Sequence, residues 1–269
     1  HHMTTYLKTA IDAALNAGKA IMDIYASDDF GIEKKSDDSP LTRADKAAHD
    51  IIHEKLKIFN IPVLSEEGKH ISFEERKNWN KLWIVDPIDG TKEFIKKNGE
   101  FTVNIALVDN QRPVLGVIYV PAKEELYFAE SKQAFKLTGV NAGNFEELNA
   151  EKMDLPLKTH LEKNKTMKSA IVVASKSHLT QETQDFIDDL KKKYDQVNTL
   201  SKGSSLKLCM VAEGAADYYP RFAPTMEWDT AAGQAICTAS GCHVIDQKTQ
   251  RTILYNRENL LNNWFLVKR

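Results

Sequence analysis

The chain has few cysteines and no long apolar segment, and each scarcity argues against whole classes of protein. Its 269 residues include three cysteines, Cys209, Cys237 and Cys242, and no C-x-x-C pair. This spacing favours buried free thiols in a reducing compartment over a disulfide framework or a cysteine zinc site. No apolar run approaches the roughly 20 residues that a membrane-spanning helix needs, so we expect no integral membrane segment.

The chain also lacks an excess of either charge. Its 36 Lys and Arg residues against 38 Asp and Glu residues give a formal net charge of −2. Domains that bind nucleic acid usually carry a clustered basic excess, so we expect no nucleic-acid partner. Apolar residues make up 42% of the chain and charged residues 28%, which is typical of a globular protein. The first residues carry no signal-peptide pattern, and we expect a cytoplasmic location.

Hydrophobic spacing predicts alternating helices and strands along the chain. Apolar residues recur every three or four positions over 7–25, which predicts an opening amphipathic helix. Two apolar runs, 101–108 and 113–120, flank a polar turn and predict a β-hairpin. We expect an α/β protein of mixed α+β layers. A polar stretch near the middle of the chain suggests an N-terminal α+β half, residues 3–150, and a C-terminal α/β half, residues 151–269.

The most informative segment is an apolar run that ends in two carboxylates. The run predicts a buried strand over 82–85, followed at 86–91 by Asp-Pro-Ile-Asp-Gly-Thr. Buried carboxylates are costly unless a cation offsets their charge, and Mg²⁺ prefers carboxylate and water oxygens. Gly90 and Thr91 begin a helix-like segment, whose backbone N–H groups would favour phosphate. The segment therefore predicts a metal-dependent reaction of a phosphate ester.

Further acidic residues stand where a strand ends or a helix begins. Taken alone, Asp229 fits a helix N-cap, and Glu66 fits a loop carboxylate as well as a metal ligand. Thr42 and Asp45 fit a capping box, in which Thr42 caps the helix and Asp45 reaches back to it. The alternative is that Thr42 and Asp45 form a relay that orients an attacking water. Without further argument the residues favour the cap.

The order of these motifs resembles the lithium-sensitive, magnesium-dependent phosphomonoesterases, a superfamily that includes inositol monophosphatases and fructose-1,6-bisphosphatases. The matching motifs are Thr-x-x-Asp at 42–45, Glu-Glu at 66–67, Asp-Pro-Ile-Asp-Gly-Thr at 86–91 and Trp-Asp-x-Ala-Ala-Gly at 228–233. The similarity covers nearly the whole chain. It implies the α-β-α-β-α sandwich of that superfamily.

Within the superfamily the chain is most similar to the bacterial 3'(2'),5'-bisphosphate nucleotidases. The segment 92–107 matches that subgroup, whereas inositol monophosphatases typically carry Thr-Asn-Phe-Val-His-Gly at 92–97. The resemblance implies removal of the 3'-phosphate from adenosine 3',5'-bisphosphate, and from its 5'-phosphosulfate analogue, in sulfur assimilation. The alternatives are an inositol or sugar-phosphate phosphatase, or a catalytically silent regulator that binds nucleotides or cations.

The resemblance also implies roles for individual residues. Two or three Mg²⁺ ions would be bound by the Ile88 carbonyl and by the side chains of Glu66, Asp86, Asp89 and Asp229. The attacking water would be oriented and deprotonated through Asp45, Thr91 and Thr42. The nucleotide would contact Glu66, Ile88, Asp89, Gly90, Thr91, Ser175, His178, Gly203, Lys207 and Asp229. Arg221 fits a phosphate contact no better than a surface ion pair.

The remaining expectations concern partners. The resemblance implies a small-molecule nucleotide as substrate, sensitivity to lithium, and a monomer or homodimer. Peripheral association with the inner membrane occurs in parts of the family, but no amphipathic anchor supports it in this sequence.

Overall fold

The computed structural model describes residues 2–27, 29–37, 39–164, 168–175 and 179–269. The α-helices in these ranges are α1 (Thr5–Tyr25), α2 (Arg43–Leu56), α3 (Phe73–Arg76), α4 (Thr91–Ile95), α5 (Phe145–Leu148), α6 (Lys158–Asn164), α7 (Gln181–Leu190), α8 (Leu206–Glu213) and α9 (Glu227–Ala239). Single turns of 3-10 helix follow α2 at Lys57–Phe59 and α5 at Asn149–Glu151.

In the described ranges the strands form two larger sheets and two small ones. In chain order they are β1 (Glu33–Lys34), β2 (Pro40–Leu41), β3 (Val63–Ser65), β4 (Lys81–Asp89), β5 (Thr102–Asp109), β6 (Arg112–Val120), β7 (Glu125–Glu130), β8 (Gln133–Thr138), β9 (Met153–Asp154), β10 (Ser169–Ala174), β11 (Gln196–Ser201), β12 (Tyr218–Arg221), β13 (Thr225–Met226), β14 (His243–Asp246), β15 (Leu261–Asn262) and β16 (Phe265–Lys268). One large sheet runs in sequence order from β3 to β9, and the other has the order β11-β10-β12-β16-β14. Strands β1 and β2 pair with each other, as do β13 and β15.

Three layers of helix alternate with the two large sheets. Helices α1 and α2 bury Leu7, Ile11 and Ile52 against the first sheet, in one core with Trp83 and Phe128. Helices α8 and α9 fill the space between the sheets, and α7 packs on the outer face of the second sheet. Apolar faces of helices and sheets are buried only when such layers stack. The predicted α-β-α-β-α sandwich is confirmed.

Helix α9 lies unusually close to β6, and small residues permit this approach. A Cβ atom added at Gly116 of β6 would lie 2.4 Å from the backbone oxygen of Ala232. A side chain at Gly233 would likewise meet Leu208 of α8 at 2.4 Å. Because these glycines let the backbones approach, the start of α9 reaches the edge of the first sheet, where Asp229 meets the end of β4.

The β-hairpin is confirmed, and the end predicted for the strand before it is wrong. Strands β5 and β6 are joined by a two-residue turn, Asn110 and Gln111, with φ of 50° and 67°. Strand β4 continues beyond 85 to Asp89, with an irregular register between Asp86 and Asp89. A bulge there accommodates Pro87, which cannot donate a ladder hydrogen bond. The periodicity missed the bulge because pairing with β5 creates it.

The boundary near residue 150 stays a prediction about the organisation of the chain. The core between the sheets takes apolar side chains from both halves, including Ile84 and Ile118 from the first and Ile236 and Phe265 from the second. Within the described ranges no helix is long and apolar enough to span a bilayer.

Candidate active site

Three carboxylates from distant parts of the chain meet at the edge of the first sheet. Glu66 follows β3, Asp86 lies in β4, and Asp229 is the third residue of α9. Each offers an oxygen atom within 4.8 Å of the others. We call Glu66, Asp86 and Asp229 the acidic cluster.

The bulge in β4 and the start of α9 orient the acidic cluster. Because two residues of β4, Pro87 and Ile88, fit opposite one residue of β5, Asp86 and Asp89 do not follow the simple alternation of a regular strand. Asp229 is not the predicted N-cap, since Met226 occupies that position and its backbone N–H donates to Asp229 Oδ2 at 2.8 Å. The second oxygen of Asp229 remains available to a ligand.

Among the described residues, the charge of Asp86 in the acidic cluster has no hydrogen-bond partner to compensate it. Asp86 is 1% exposed, and no hydrogen-bond donor among the described residues contacts either of its carboxylate oxygens. Burial, together with Glu66 and Asp89, raises the pKa of Asp86 well above its usual value. Burial and Glu66 also raise the pKa of Asp229 to about 6. An unpartnered buried carboxylate beside two others fits a divalent cation, whose charge would offset this cost.

Two lysines lie near these carboxylates, but neither donates a hydrogen bond to Asp86 in the described ranges. Lys35 Nζ lies 3.3 Å from Glu66 Oε1 and also pairs with Glu67, which draws Glu67 away from the acidic cluster. Lys207, 4% exposed, donates from Nζ to the backbone oxygen of Lys202 at 3.1 Å. Burial lowers the pKa of Lys207 to about 8, although Asp89 opposes that shift. Lys207 thus places a buried cation near Asp89 without a close ion pair in the described residues.

Asp45 serves both as a helix cap and as the inner end of a hydrogen-bond relay. Its Oδ2 accepts from the backbone N–H of Thr42 at 2.8 Å and from the Thr42 hydroxyl at 2.7 Å. Its Oδ1 accepts from the Thr91 hydroxyl at 2.9 Å. Burial raises the pKa of Asp45, and these hydrogen bonds oppose the rise. The cap and the relay are therefore compatible, because each uses a different carboxylate oxygen.

A single cavity of about 410 Å³ unites most of the predicted site residues. Those that line it are Glu66, Asp86, Ile88, Asp89, Gly90, Thr91, Ser175, Gly203, Lys207, Asp229 and Arg221. Thr42 and Asp45 are buried behind Thr91. His178 lies outside the described residues. The side chain of Arg221 donates from Nη2 to the Pro224 backbone oxygen at 3.2 Å and has a buried Nε that no acceptor in the described ranges reaches.

The structure adds lining residues that the sequence motifs did not single out. Lys35, Glu93 and Tyr219 also face the cavity, and the Lys207 ammonium lies 5.6 Å from the centre of the Tyr219 ring. Only the adjacent Glu66 and Glu67, which need a counter-charge, pointed to a residue such as Lys35.

Comparisons with known proteins show the family to which the chain is similar. The chain matches the model of the inositol monophosphatase family over residues 2–268. It is 43% identical over 264 residues to the 3'(2'),5'-bisphosphate nucleotidase CysQ of Salmonella typhimurium, covering 97% of this chain and 98% of that relative. A relative of the same name from Shigella flexneri is 43% identical over 257 residues, or 94% of this chain and 96% of the relative.

Solved structures show the same similarity. The crystal structure of CysQ from Bacteroides thetaiotaomicron has a TM-score of 0.86 and 50% sequence identity, covering 99% of this chain and 98% of that one. An inositol monophosphatase from Thermotoga maritima has a TM-score of 0.74 at 22% identity, over 98% of this chain and 92% of that one. The second likeness concerns the fold alone.

Proposed function

The chain belongs to the inositol monophosphatase family, and we propose that it is a 3'(2'),5'-bisphosphate nucleotidase that hydrolyses adenosine 3',5'-bisphosphate to AMP and phosphate. The observation that carries this proposal is one cavity that holds both the acidic cluster and the buried ammonium of Lys207. The first suits a metal-bound phosphate, and the second suits a further phosphate on the same substrate. The 5'-phosphosulfate analogue is a narrower part of the proposal.

The family is metal-dependent, and we propose Mg²⁺, two or three ions per site, as the metal. The side chains of Glu66, Asp86, Asp89 and Asp229 and the Ile88 carbonyl would hold it, because hard oxygen ligands suit this ion. Mg²⁺ bound there would supply positive charge for the phosphate oxygens and would lower the pKa of a bound water.

Residues of the chain would then orient and deprotonate the attacking water. The Thr91 hydroxyl donates a hydrogen bond to Asp45 Oδ1 at 2.9 Å, so the lone pairs of Thr91 Oγ1 are free to accept from a water in the cavity. As the water attacks phosphorus, its proton would move to Thr91 Oγ1 while the Thr91 proton moves to Asp45 Oδ1. The P–O3' bond would break, and the leaving 3'-oxygen would take a proton from water in the cavity. Asp45 would return its proton to solvent before the next turnover. The Thr42 N–H and hydroxyl hold the Asp45 carboxylate in place through its other oxygen.

We propose that the remaining lining residues select the substrate. Lys207 would contact a phosphate of the nucleotide, and Gly90, Ser175, Gly203 and Arg221 would shape the path around it, as would His178. Lys207 and Arg221 give the cavity positive charge outside the acidic cluster. This positive charge would attract the second phosphate of a bisphosphorylated ribose, which a single phosphomonoester lacks. We also retain a cytoplasmic location and a monomer or homodimer as parts of this proposal.

The test compares phosphate release from three substrates at equal concentrations with Mg²⁺. We expect kcat/KM for adenosine 3',5'-bisphosphate to exceed the values for inositol 1-phosphate and fructose 1,6-bisphosphate by at least about tenfold. A preference for either sugar or inositol substrate would overturn the nucleotidase proposal. Nucleotide binding without phosphate release from any of the three would instead indicate a silent regulator.

A further inference from the structure

The turn between β11 and α8 is held by residues of the N-terminal half of the chain. The backbone N–H of Gly203 donates to Glu100 Oε1 at 2.7 Å. Two residues further along, the hydroxyls of Ser205 and Thr102 lie 2.7 Å apart. Glu100 and Thr102 lie just before and at the start of β5, next to the bulge that presents Asp86 and Asp89. The turn is thereby tied to the strand pair that carries the metal-binding carboxylates.

The conformation of this turn requires support. Ser204 has φ of 56°, a left-handed conformation that is unfavourable for a residue other than glycine. A side chain at Gly203 would collide with Glu93, since its Cβ would lie 2.8 Å from Glu93 Cγ. A Cβ at Gly90 would lie 3.3 Å from the Ser204 Cβ. The turn is thus packed directly against Gly90, and interactions outside the turn maintain its unfavourable backbone angle.

The same turn determines where Lys207 places its charge. The Lys207 Nζ atom donates to the backbone oxygen of Lys202, the residue before Gly203. The ammonium is therefore located relative to the turn by a hydrogen bond, and a shift of the turn would move it. The cavity is lined at this point by Gly203, Ser204, Ser205 and Lys207, and Glu100 is not a lining residue. Glu100 is linked to the cavity by its hydrogen bond with the Gly203 N–H, and its charge also opposes the lowering of the Lys207 pKa.

We propose that Glu100 is a positioning residue: by holding the Gly203 N–H, it keeps the 202–205 turn and Lys207 in the geometry that binds a substrate with a second phosphate. This inference rests on the proposed function for the identity of the substrate. It assigns Glu100 no contact with the substrate and no part in the proton relay. Its effect is therefore expected in KM for the bisphosphate and not in kcat.

The experiment separates the hydrogen bond of Glu100 from its charge. Glu100→Gln keeps an acceptor oxygen at the same reach and removes the charge. Glu100→Asp keeps the charge but is one methylene too short to hold the Gly203 N–H. Glu100→Ala removes both. The matched control is Glu74→Ala, which removes an exposed glutamate side chain at the start of α3.

We expect Glu100→Asp and Glu100→Ala to raise KM for adenosine 3',5'-bisphosphate about tenfold, with kcat within about twofold of wild type. Glu100→Gln should stay within about threefold of the wild-type KM, since its amide oxygen can still accept the hydrogen bond. Hydrogen exchange of the Gly203 amide, which needs no substrate, should accelerate in the Asp and Ala variants only. Glu74→Ala should change none of these quantities.

Two outcomes would overturn the inference while the wild type hydrolyses the bisphosphate. In the first, Glu100→Gln raises KM as much as Glu100→Ala, which would assign the effect to charge. In the second, KM and Gly203 exchange are unchanged in every variant. A wild type that releases no phosphate from the bisphosphate would instead overturn the proposed function, while Gly203 exchange would still decide whether Glu100 holds the turn.

Discussion

Among the described residues, two sites that each contain a buried carboxylate, Asp86 and Glu213, are constructed in opposite ways. In the first, the acidic cluster, the carboxylates of Glu66, Asp86 and Asp229 lie next to one another. The other surrounds Glu213, at the far end of α8 from Lys207. Glu213 Oε1 accepts from the Tyr127 hydroxyl and from Lys136 Nζ, the latter at 3.1 Å, and its Oε2 lies 3.2 Å from His160 Nε2.

Their difference distinguishes a structural use of buried charge from a functional one. Around Glu213 the chain supplies its own donors and a cation, so folding completes the site. At the acidic cluster it leaves both oxygens of Asp86 without a donor among the described residues. Folding then leaves an arrangement whose charge is balanced either by bound protons or by a cation that enters the site. A carboxylate that the fold leaves unpartnered is therefore the more informative sign of function.

Two lysines near these sites, Lys136 beside Glu213 and Lys207 beside Asp89, repeat the contrast. Burial alone would lower the pKa of Lys136, but Glu213 and Glu125 raise it above its usual value. Burial lowers the pKa of Lys207 to about 8, and Asp89 compensates this only in part. One ammonium is committed to internal ion pairs, and the other remains available to an anion that enters the cavity.

The largest effect should come from a change in the metal-binding carboxylates. We expect Asp89→Asn to reduce kcat with Mg²⁺ at least about 100-fold, because removing a metal ligand should cost more than removing a residue behind it. The fold should persist, since the change removes a charge whose burial is unfavourable. Phosphate release and thermal denaturation measure the two quantities, with Asp188→Asn on exposed α7 as control. Near-normal turnover would contradict the assignment of Asp89 as a ligand.

The opposite result is expected at Glu213, whose hydrogen-bond donors and cation are supplied by the protein itself. Glu213→Ala leaves the buried Tyr127 hydroxyl without its acceptor and Lys136 with only Glu125 as a carboxylate partner in the described residues. The change should therefore lower the free energy of unfolding by about 3 kcal/mol. The kcat of the folded variant should match that of the wild type. Urea denaturation and steady-state kinetics test this pair of outcomes. A fall in kcat without loss of stability would remove the contrast between the clusters.

Substitution of the two lysines sharpens the comparison at a smaller scale. Lys207→Ala should raise KM for adenosine 3',5'-bisphosphate about tenfold and KM for a simple phosphomonoester much less, because only the first has a further phosphate. Lys136→Ala should leave both KM values unchanged and lower stability. Equal effects of Lys207→Ala on both substrates would mean that Lys207 has a structural role.

The smallest expected effect is a pH dependence of the metal-free protein. Burial and Glu66 raise the pKa of Asp229 to about 6, above its ordinary value of 3.8. The folded state therefore retains a proton that the unfolded chain has already lost. The stabilisation from this group is complete below the unfolded pKa and is lost as the pH rises through about 6.

Melting temperatures between pH 5 and 8, measured with a chelator, test this expectation. The melting temperature of the wild type should fall more steeply with rising pH than that of Asp229→Asn, which lacks the titrating group. Added Mg²⁺ should oppose the fall, because the metal binds the deprotonated carboxylates. Identical slopes in the two proteins would show that Asp229 is not coupled to folding in this way.

Local patterns in the sequence account for much of the fold. The helix over 7–25 and the hairpin of β5 and β6 are predictable because their periodicity or turn lies within a few residues. Strand β16, near the C-terminus, was not predicted, although it lies between β12 and β14 in the second sheet. Its four residues are too few for a strong periodic signal. Its place depends on strands that precede it in the chain.

The candidate site divides in the same way. The motifs at 42–45, 66–67, 86–91 and 228–233 contain the candidate carboxylates, and the resemblance to the phosphomonoesterases implies their roles. They do not indicate that Asp45 binds Thr42 with one oxygen and Thr91 with the other, or that Met226 and not Asp229 is the N-cap of α9. Lys35 and Glu100 were missed altogether, since each acts on residues 31 to 103 positions away.

The sequence by itself determined which chemical groups are available: the four carboxylates, the Thr91 hydroxyl and the lysine that follows Gly203. It could do so because short motifs record the residue types that a reaction needs. Only the tertiary structure decided which oxygens remain without a partner and which ammonium remains available to a ligand. Hydrogen bonding and burial depend on elements far apart in the chain, such as β4, α9 and the turn that Glu100 holds.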